Sequence, residues 1–282
     1  MTSAVRPAAV AGSFYPAAAE ELSALLDNCF NASSLGPGGA REPDPSIIGG
    51  MVPHAGPIYS GPCAAHFYAR LESPVQRIIL LGVNHRTRGH KAALSPWRRW
   101  QIPLGEAAVD DQLSDFLAGR VKFLQRDADA HAEEHSIEIQ LPFLQRVLGQ
   151  FEFVPISLSH LSVDECAELG AAIAEVCKAT AKANLKTIIL ASSDLSHYLS
   201  PQKTENLDRM ALEQVLDLNP EGLLHTVEDN NITMCGVLPT AVMLFAAQSL
   251  GAKQVKLLKH CHSGDVTPMR KVVGYASVAV AV

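Results

Sequence analysis

SIIGGMVPHAGPIYSG, residues 46–61, is the stretch on which the fold turns. A short apolar run, SIIGGMV (46–52), stops at Pro53, and the next residue is His54, followed by Ala55, Gly56 and Pro57. A run this short, closed by Gly and Pro, reads as a strand buried on both faces. The pattern returns at RIILLGV (77–83), FEFVPISL (151–158), TIILASS (187–193), QVKLLKHC (254–261) and VGYASVAVAV (273–282). Between these runs lie helical patterns: GPCAAHFYARL, VDDQLSDFLAG, VDECAELGAAIAEVCKATAK, TENLDRMALEQVLDL and LPTAVMLFAAQSLG. Strand and helix in alternation predict a three-layer α/β/α fold around a central, mostly parallel, mixed sheet. An earlier helix is expected in AAAEELSALLDNCF, with Leu22, Leu25 and Leu26 on its apolar side. NASSLGPGGAREPDPS (31–46) reads as a loop and as the best candidate for mobility. No repeat or low-complexity tract divides the chain, so residues 1–282 are expected to form a single α/β domain.

Composition narrows the function classes. Hydrophobic residues make up 48% of the 282 and charged residues 18%, enough for a sizeable core. A net charge of −6 argues against nucleic acid as a partner, since phosphate binding wants a basic surface. The one basic cluster, Trp97-Arg98-Arg99-Trp100, is expected to be an edge strand or a surface turn. The start, MTSAVRPAAVAGSFYP, lacks the apolar core of a secretion signal, and GYASVAVAV is too short to span a membrane. Six cysteines without a CxxC pair point to reduced thiols. A soluble, cytoplasmic protein without a membrane partner is the expectation.

In open parallel sheets ligands bind beyond the carboxyl ends of the strands. His54 follows the first run, Asn84-His85-Arg86 the second, Asp194-Leu195-Ser196-His197 the fourth, and His262-Ser263-Gly264-Asp265 the fifth. Imidazole is the commonest protein ligand for transition metals and titrates near neutrality, so this set suggests a metal site, an acid–base site, or both. In DADAHAEEHSIEIQLPFLQRVLG (127–149) the helical period places Ile137, Leu141, Leu144 and Leu148 on one stripe and His131, His135 and Glu138 on another. Pro142 interrupts that helix, and the alternative for the second stripe is a solvated acidic face. In DNNITMCGVLPTAVML, Cys235 stands just before an apolar helix, where it is either a metal-binding thiolate or a small buried residue.

AGSFYP, PHAGPIYSG, LLGVNHR, EEHSIEIQLPF, SSDLSHY and TMCG, in this order, resemble the Memo family, also labelled AmmeMemoRadiSam system protein B. The likeness runs from about residue 5 to 281. It implies a fold shared with the class III extradiol (LigB-type) dioxygenases, which hold Fe(II) through two His and a carboxylate. It further implies iron or copper bound by His54, His85 and Cys235, with Asp194 and His197 in the same pocket and His197 as the acid–base group. Phe14, Tyr15, His135 and Glu138 are candidates for the pocket wall. The chain departs from relatives at Pro57, where many carry an aromatic residue, and at Asn84, where Ser is common. Phe14 stands where the animal member has Trp, which weakens transfer of that member's phosphotyrosine-peptide binding. A thiolate in place of the carboxylate changes the electronics of bound iron, so ring cleavage does not follow from the fold.

Three functions compete on this reading. One is a metal-dependent oxidoreductase. Another is a non-catalytic protein that binds a small molecule or a peptide in the same pocket. The last is a component of a modification system with a radical-SAM partner protein, which would have to supply the iron–sulfur chemistry. A serine hydrolase is disfavoured, because no G-x-S-x-G elbow surrounds Ser192 or Ser193.

Overall fold

A computed structural model of the chain describes residues 4–31, 34–71, 75 and 77–282, so residues 32 and 33 of the expected loop lie outside the described residues. In chain order the elements are β1 (Val5–Arg6), α1 (Ala19–Asn31), β2 (Ile47–Val52), α2 (Pro57–Tyr68), β3 (Arg77–Val83), β4 (Ala92–Leu94) and β5 (Arg99–Ile102). Then come β6 (Gly105–Val109), α3 (Asp111–Arg120), β7 (Leu124–Arg126), α4 (Gln140–Leu148), β8 (Glu152–Leu158), α5 (Val163–Lys182) and β9 (Thr187–Ser192). The chain closes with β10 (His197–Leu199), α6 (Pro201–Leu216), α7 (Pro220–Asp229), α8 (Val237–Ser249), β11 (Gln254–His262), α9 (Ser263–Val266) and β12 (Val272–Ala281).

One mixed sheet runs β1-β5-β6-β8-β3-β9-β2-β12-β10, with β11 on β12, and β4 and β7 beside β8. Its centre, β6-β8-β3-β9-β2, is parallel throughout, and β12 turns antiparallel against β2. Period-2 alternation explains why these strands read as unbroken apolar runs. Ile79, Leu81, Ile189 and Ala191 face one core with α3 and α5 to α8. Ile78, Leu80, Ile188 and Leu190 face the other with α1, α2 and α4. Three layers result, as the sequence predicts.

Local exceptions have local causes. Pro155 lies inside the central strand β8, but on that side β6 pairs only as far as Phe153 and β4 begins at Ile156. The missing N–H therefore falls in the gap between two neighbours. Gly50 of β2 is required by packing, since a Cβ there would meet the Phe67 ring of α2 at 2.2 Å. Trp100 of the basic cluster sits in β5, one strand in from the edge, fully buried with the Arg6 guanidinium 3.9 Å over its ring.

The helix expected over 127–149 needs correction. It begins only at Gln140, which puts Pro142 in the first turn, where an N–H has no intrahelical partner anyway. Extended upstream, the helix would need the Pro142 N–H to bond the Glu138 carbonyl. Residues 127–139 fold instead as successive turns. His131, His135 and Glu138 therefore share no helical stripe, and His131 and Glu138 are fully buried rather than solvated.

Candidate functional site

Adjacent parallel strands end at one edge of the sheet, and β3, β9 and β2 are adjacent. The second residue after each is His85, Asp194 and His54. Two turns of chain complete the cluster. The segment before α4 brings Glu134 and His135, and the approach to α8 brings Cys235. Gly236 lets that approach close, because a Cβ there would stand 2.4 Å from the Ser193 Cβ and 2.5 Å from the Ser192 carbonyl oxygen.

His54 is 1% exposed and held in one tautomer. The Pro53 carbonyl can only accept, so the Gln140 atom 3.0 Å from it is the amide nitrogen, which also donates to Ser192 Oγ at 2.8 Å. The Ser136 carbonyl can only accept as well, so it receives the Ser192 hydroxyl proton at 2.7 Å. Ser192 Oγ is left as an acceptor toward His54 Nδ1, 2.9 Å away. The proton of neutral His54 is therefore on Nδ1, and the Nε2 lone pair points out to the Cys235 sulfur at 3.2 Å. Burial pushes the His54 pKa down to about 3, with the neighbouring His85 adding to the effect, so the ring is neutral near pH 7.

Glu134 does for His85 what Ser192 does for His54. Its carboxylate accepts from His85 Nδ1 at 2.9 Å and from the backbone N–H of His85, His135 and Ser136 at 2.8–2.9 Å. Burial alone would raise its pKa; these bonds and the facing imidazoles outweigh it and hold the group near 2. His135, pushed down to about 4 by burial, lies with its ring 4.6 Å from His85 and 5.4 Å from His54.

On the other side of His54, Asp194 Oδ1 accepts from the backbone N–H of His54 and Ala55 at 2.8 and 3.2 Å. Burial raises the Asp194 pKa. Burial and the nearby Asp194 charge push the Cys235 thiol well up. His197 donates Nδ1–H to the Thr233 carbonyl at 2.8 Å, which leaves Nε2 for proton exchange.

Ligand-type atoms of His54, His85 and His135 lie within 4.8 Å of one another, and so do those of His54, Asp194 and Cys235. His54 belongs to both groups, whereas His85 and Cys235 share no such group among the described residues. Imidazoles beside a thiol and a carboxyl, with the His54 lone pair already oriented, form a donor set suited to iron or copper. A divalent cation there would also reverse the cost of a thiolate.

Other expected pocket residues are placed differently. Phe14 is 39% exposed and packs on His135, with ring centroids 4.6 Å apart. Tyr15 and Glu138 belong to a buried anchor beneath the site. Glu138 accepts from Arg6 Nη1 at 2.6 Å, Tyr15 Oη at 2.6 Å and the Ala9 and Val10 N–H groups at 2.8 and 3.0 Å. Every lone pair of Glu138 is thus engaged, so its role is to fix the segment that carries Phe14. His262 turns to Asp265 and Glu205 and joins neither donor group. A groove of about 460 Å³, lined by Ile47, Ile48, Leu185 and Leu250, holds none of these groups.

Sequence reasoning gave no role to Glu134 or Gln140 and weighed Ser192 only as a hydrolase nucleophile. All three lie inside the motifs EEHSIEIQLPF and SSDLSHY, which was the available signal. With its proton on the Ser136 carbonyl and its lone pairs engaged, Ser192 has no nucleophile's geometry.

Relatives identified by sequence agree with the motif reading. The MEMO1 family protein MK0963 of Methanopyrus kandleri is 39% identical over 280 residues, covering 97% of this chain and 98% of that one. A MEMO1 family protein of Ignicoccus hospitalis is 40% identical over 282 residues, covering 97% and 98%. One from Methanococcoides burtonii is 37% identical over 277 residues, covering 98% and 100%. Among solved structures, the uncharacterized protein JW3007 from Escherichia coli K12 aligns with a TM-score of 0.47 at 10% identity, over 81% of this chain and 99% of that one. The family model described as Memo-like protein matches residues 6–279, and the chain belongs to the Memo family.

Proposed function

We propose that the chain is a metal-dependent oxidoreductase acting on a small molecule, with iron or copper at His54. The observation that carries this reading is the locked tautomer of His54. Ser192, itself fixed by Gln140 and Ser136, leaves the Nε2 lone pair directed into a cluster of further donors. A hydrogen bond accepted from the ring nitrogen that faces away from the ion orients and strengthens a histidine ligand.

His54 is the common ligand, joined by His85 and Cys235, as the resemblance to the Memo family implies. When bound, the ion supplies one-electron chemistry and a Lewis acid for substrate and O₂. The chain itself supplies proton handling. His197, with Nδ1–H fixed on the Thr233 carbonyl, accepts or returns a proton at Nε2. Asp194 braces the turn at His54 through two backbone N–H groups. A half-exposed His85, and exposed Phe14 and Tyr198 at the rim, leave a route in for substrate.

A second reading, a non-catalytic pocket for a small ligand or peptide, is favoured by that same exposed rim, where Phe14 is 39% and Tyr198 69% accessible. O₂ uptake with a panel of catechols under reducing conditions separates the two. The oxidoreductase reading expects turnover that falls at least ~10²-fold in His197→Ala with metal content unchanged, the usual size of an acid–base contribution. Metal-loaded protein that turns over no member of the panel, or a His197→Ala variant as active as the wild type, favours the binding reading.

A further inference from the structure

We propose that His135 is an additional ligand of this metal centre and that Glu134 is the carboxylate that orients it together with His85. The inference rests on the metal reading above but adds a ligand and a positioning residue to it.

Helix α4 starts late. Because Pro142 confines the helix to residues from Gln140 onward, the chain before it turns in and buries Glu134, 3% exposed, against the exit of β3. Glu134 Oε1 accepts from His85 Nδ1 at 2.9 Å and stands 3.3 Å from His135 Nδ1. Both rings therefore turn the same end toward one carboxylate. They lie nearly parallel, 21° apart with centroids at 4.6 Å. Each is nearly perpendicular to His54, at 81° and 82°, with centroids at 5.2 and 5.4 Å.

His54 and His85 thus each hydrogen-bond an oxygen through Nδ1, and His135 holds its Nδ1 3.3 Å from the Glu134 oxygen that serves His85, which leaves Nε2 of each ring for an ion. Their ligand nitrogens lie within 4.8 Å of one another. Imidazole nitrogens around one ion at about 2.0–2.1 Å sit roughly 3.4 Å apart, so small ring rotations close the set. A histidine that only packed against Phe14 would not need its Nδ1 turned to the carboxylate that serves His85. One carboxylate serving two ligands has a consequence for mutation, because loss of Glu134 frees both rings at once.

The test uses Co(II) alone as the probe on the full chain. Each coordinated imidazole with a protected Nδ1–H gives one paramagnetically shifted, exchangeable proton signal. Three such signals are expected in the wild type, from His54, His85 and His135, and two in both His135→Ala and the bulkier His135→Gln. Glu134→Gln is expected to weaken Co(II) binding ~10- to 100-fold, the usual effect of removing an orienting partner. Two signals in the wild type, or an unchanged count with affinity within about twofold in both His135 variants, overturns the inference and leaves the metal reading standing. No Co(II) binding by the wild type, or binding unaffected in His54→Ala, defeats the metal reading itself, and this inference with it.

Discussion

At the scale of single residues, the protonation pattern of His54 follows from two groups that can only accept. The Pro53 and Ser136 carbonyls fix which way Gln140 and Ser192 point, and these in turn fix the imidazole proton. Ser192→Ala removes the last acceptor in that chain. The expected result is a ~10- to 100-fold loss of metal affinity, together with about 1–3 kcal/mol of stability from donors left unpaired. Isothermal titration with Co(II) and urea unfolding measure the two, and unchanged affinity contradicts the orienting role. The histidines at the strand exits were legible in the sequence because a parallel sheet gathers its strand ends. Glu134, Gln140 and the orienting role of Ser192 were not, because they depend on which way each side chain faces, and neither spacing nor periodicity fixes that.

At the scale of elements, α4 shows where periodicity misleads. The stripe Ile137, Leu141, Leu144 and Leu148 is apolar and buried as expected, yet only three of those residues lie in the helix. Ile137 belongs to the turns before it, and the consequence is that Glu138 faces inward to Arg6 rather than outward to water. Both side chains are fully buried, so breaking the pair strands a charge. Glu138→Gln is expected to cost about 3–5 kcal/mol, read as a drop in the urea midpoint at unchanged slope. A loss below ~1 kcal/mol would mean the network is not what anchors residues 9–15. The strands in long apolar runs were legible, since burial on both faces leaves a plain signature. Two-residue β1 and the three-residue strands β4, β7 and β10 were missed, because segments that short carry no full period of their own; the longer β6 and α7 were missed as well, and Pro220 and Gly222 of α7 are local helix-breaking signals.

At the scale of the whole molecule, two apolar cores are separated by one sheet, and histidines buried in or beside them make stability depend on pH. His131, fully buried with Nε2 2.9 Å from the Ala93 carbonyl, has its pKa pushed down to about 4 by burial. Its unfolded value is near 6.5, so the unfolded chain binds a proton that the folded chain refuses. Stability is full above pH 6.5 and is lost as pH falls toward 4. Between pH 7 and 4.5 this one group removes roughly 2–3 kcal/mol. Emission from Trp97 and Trp100, both buried, follows urea unfolding across that range. In His131→Gln the dependence should flatten by about that amount, and the same slope in the variant contradicts the assignment. No helix among the described residues is long and apolar enough to cross a membrane. The short apolar stretch GYASVAVAV pointed the same way, since the length of an apolar run is read without geometry.

Whether a metal ion binds at His54 is decided by metal content. Protein purified without oxygen is analysed for iron and copper, wild type beside His54→Ala, with the half-exposed His85→Ala as a second variant less prone to misfold. Close to one ion per chain is expected in the wild type, with at least a ~10-fold loss in both variants. A wild type that holds no metal even after Fe(II) or Cu(I) is offered, or variants that hold as much as it does, would contradict a metal site at His54.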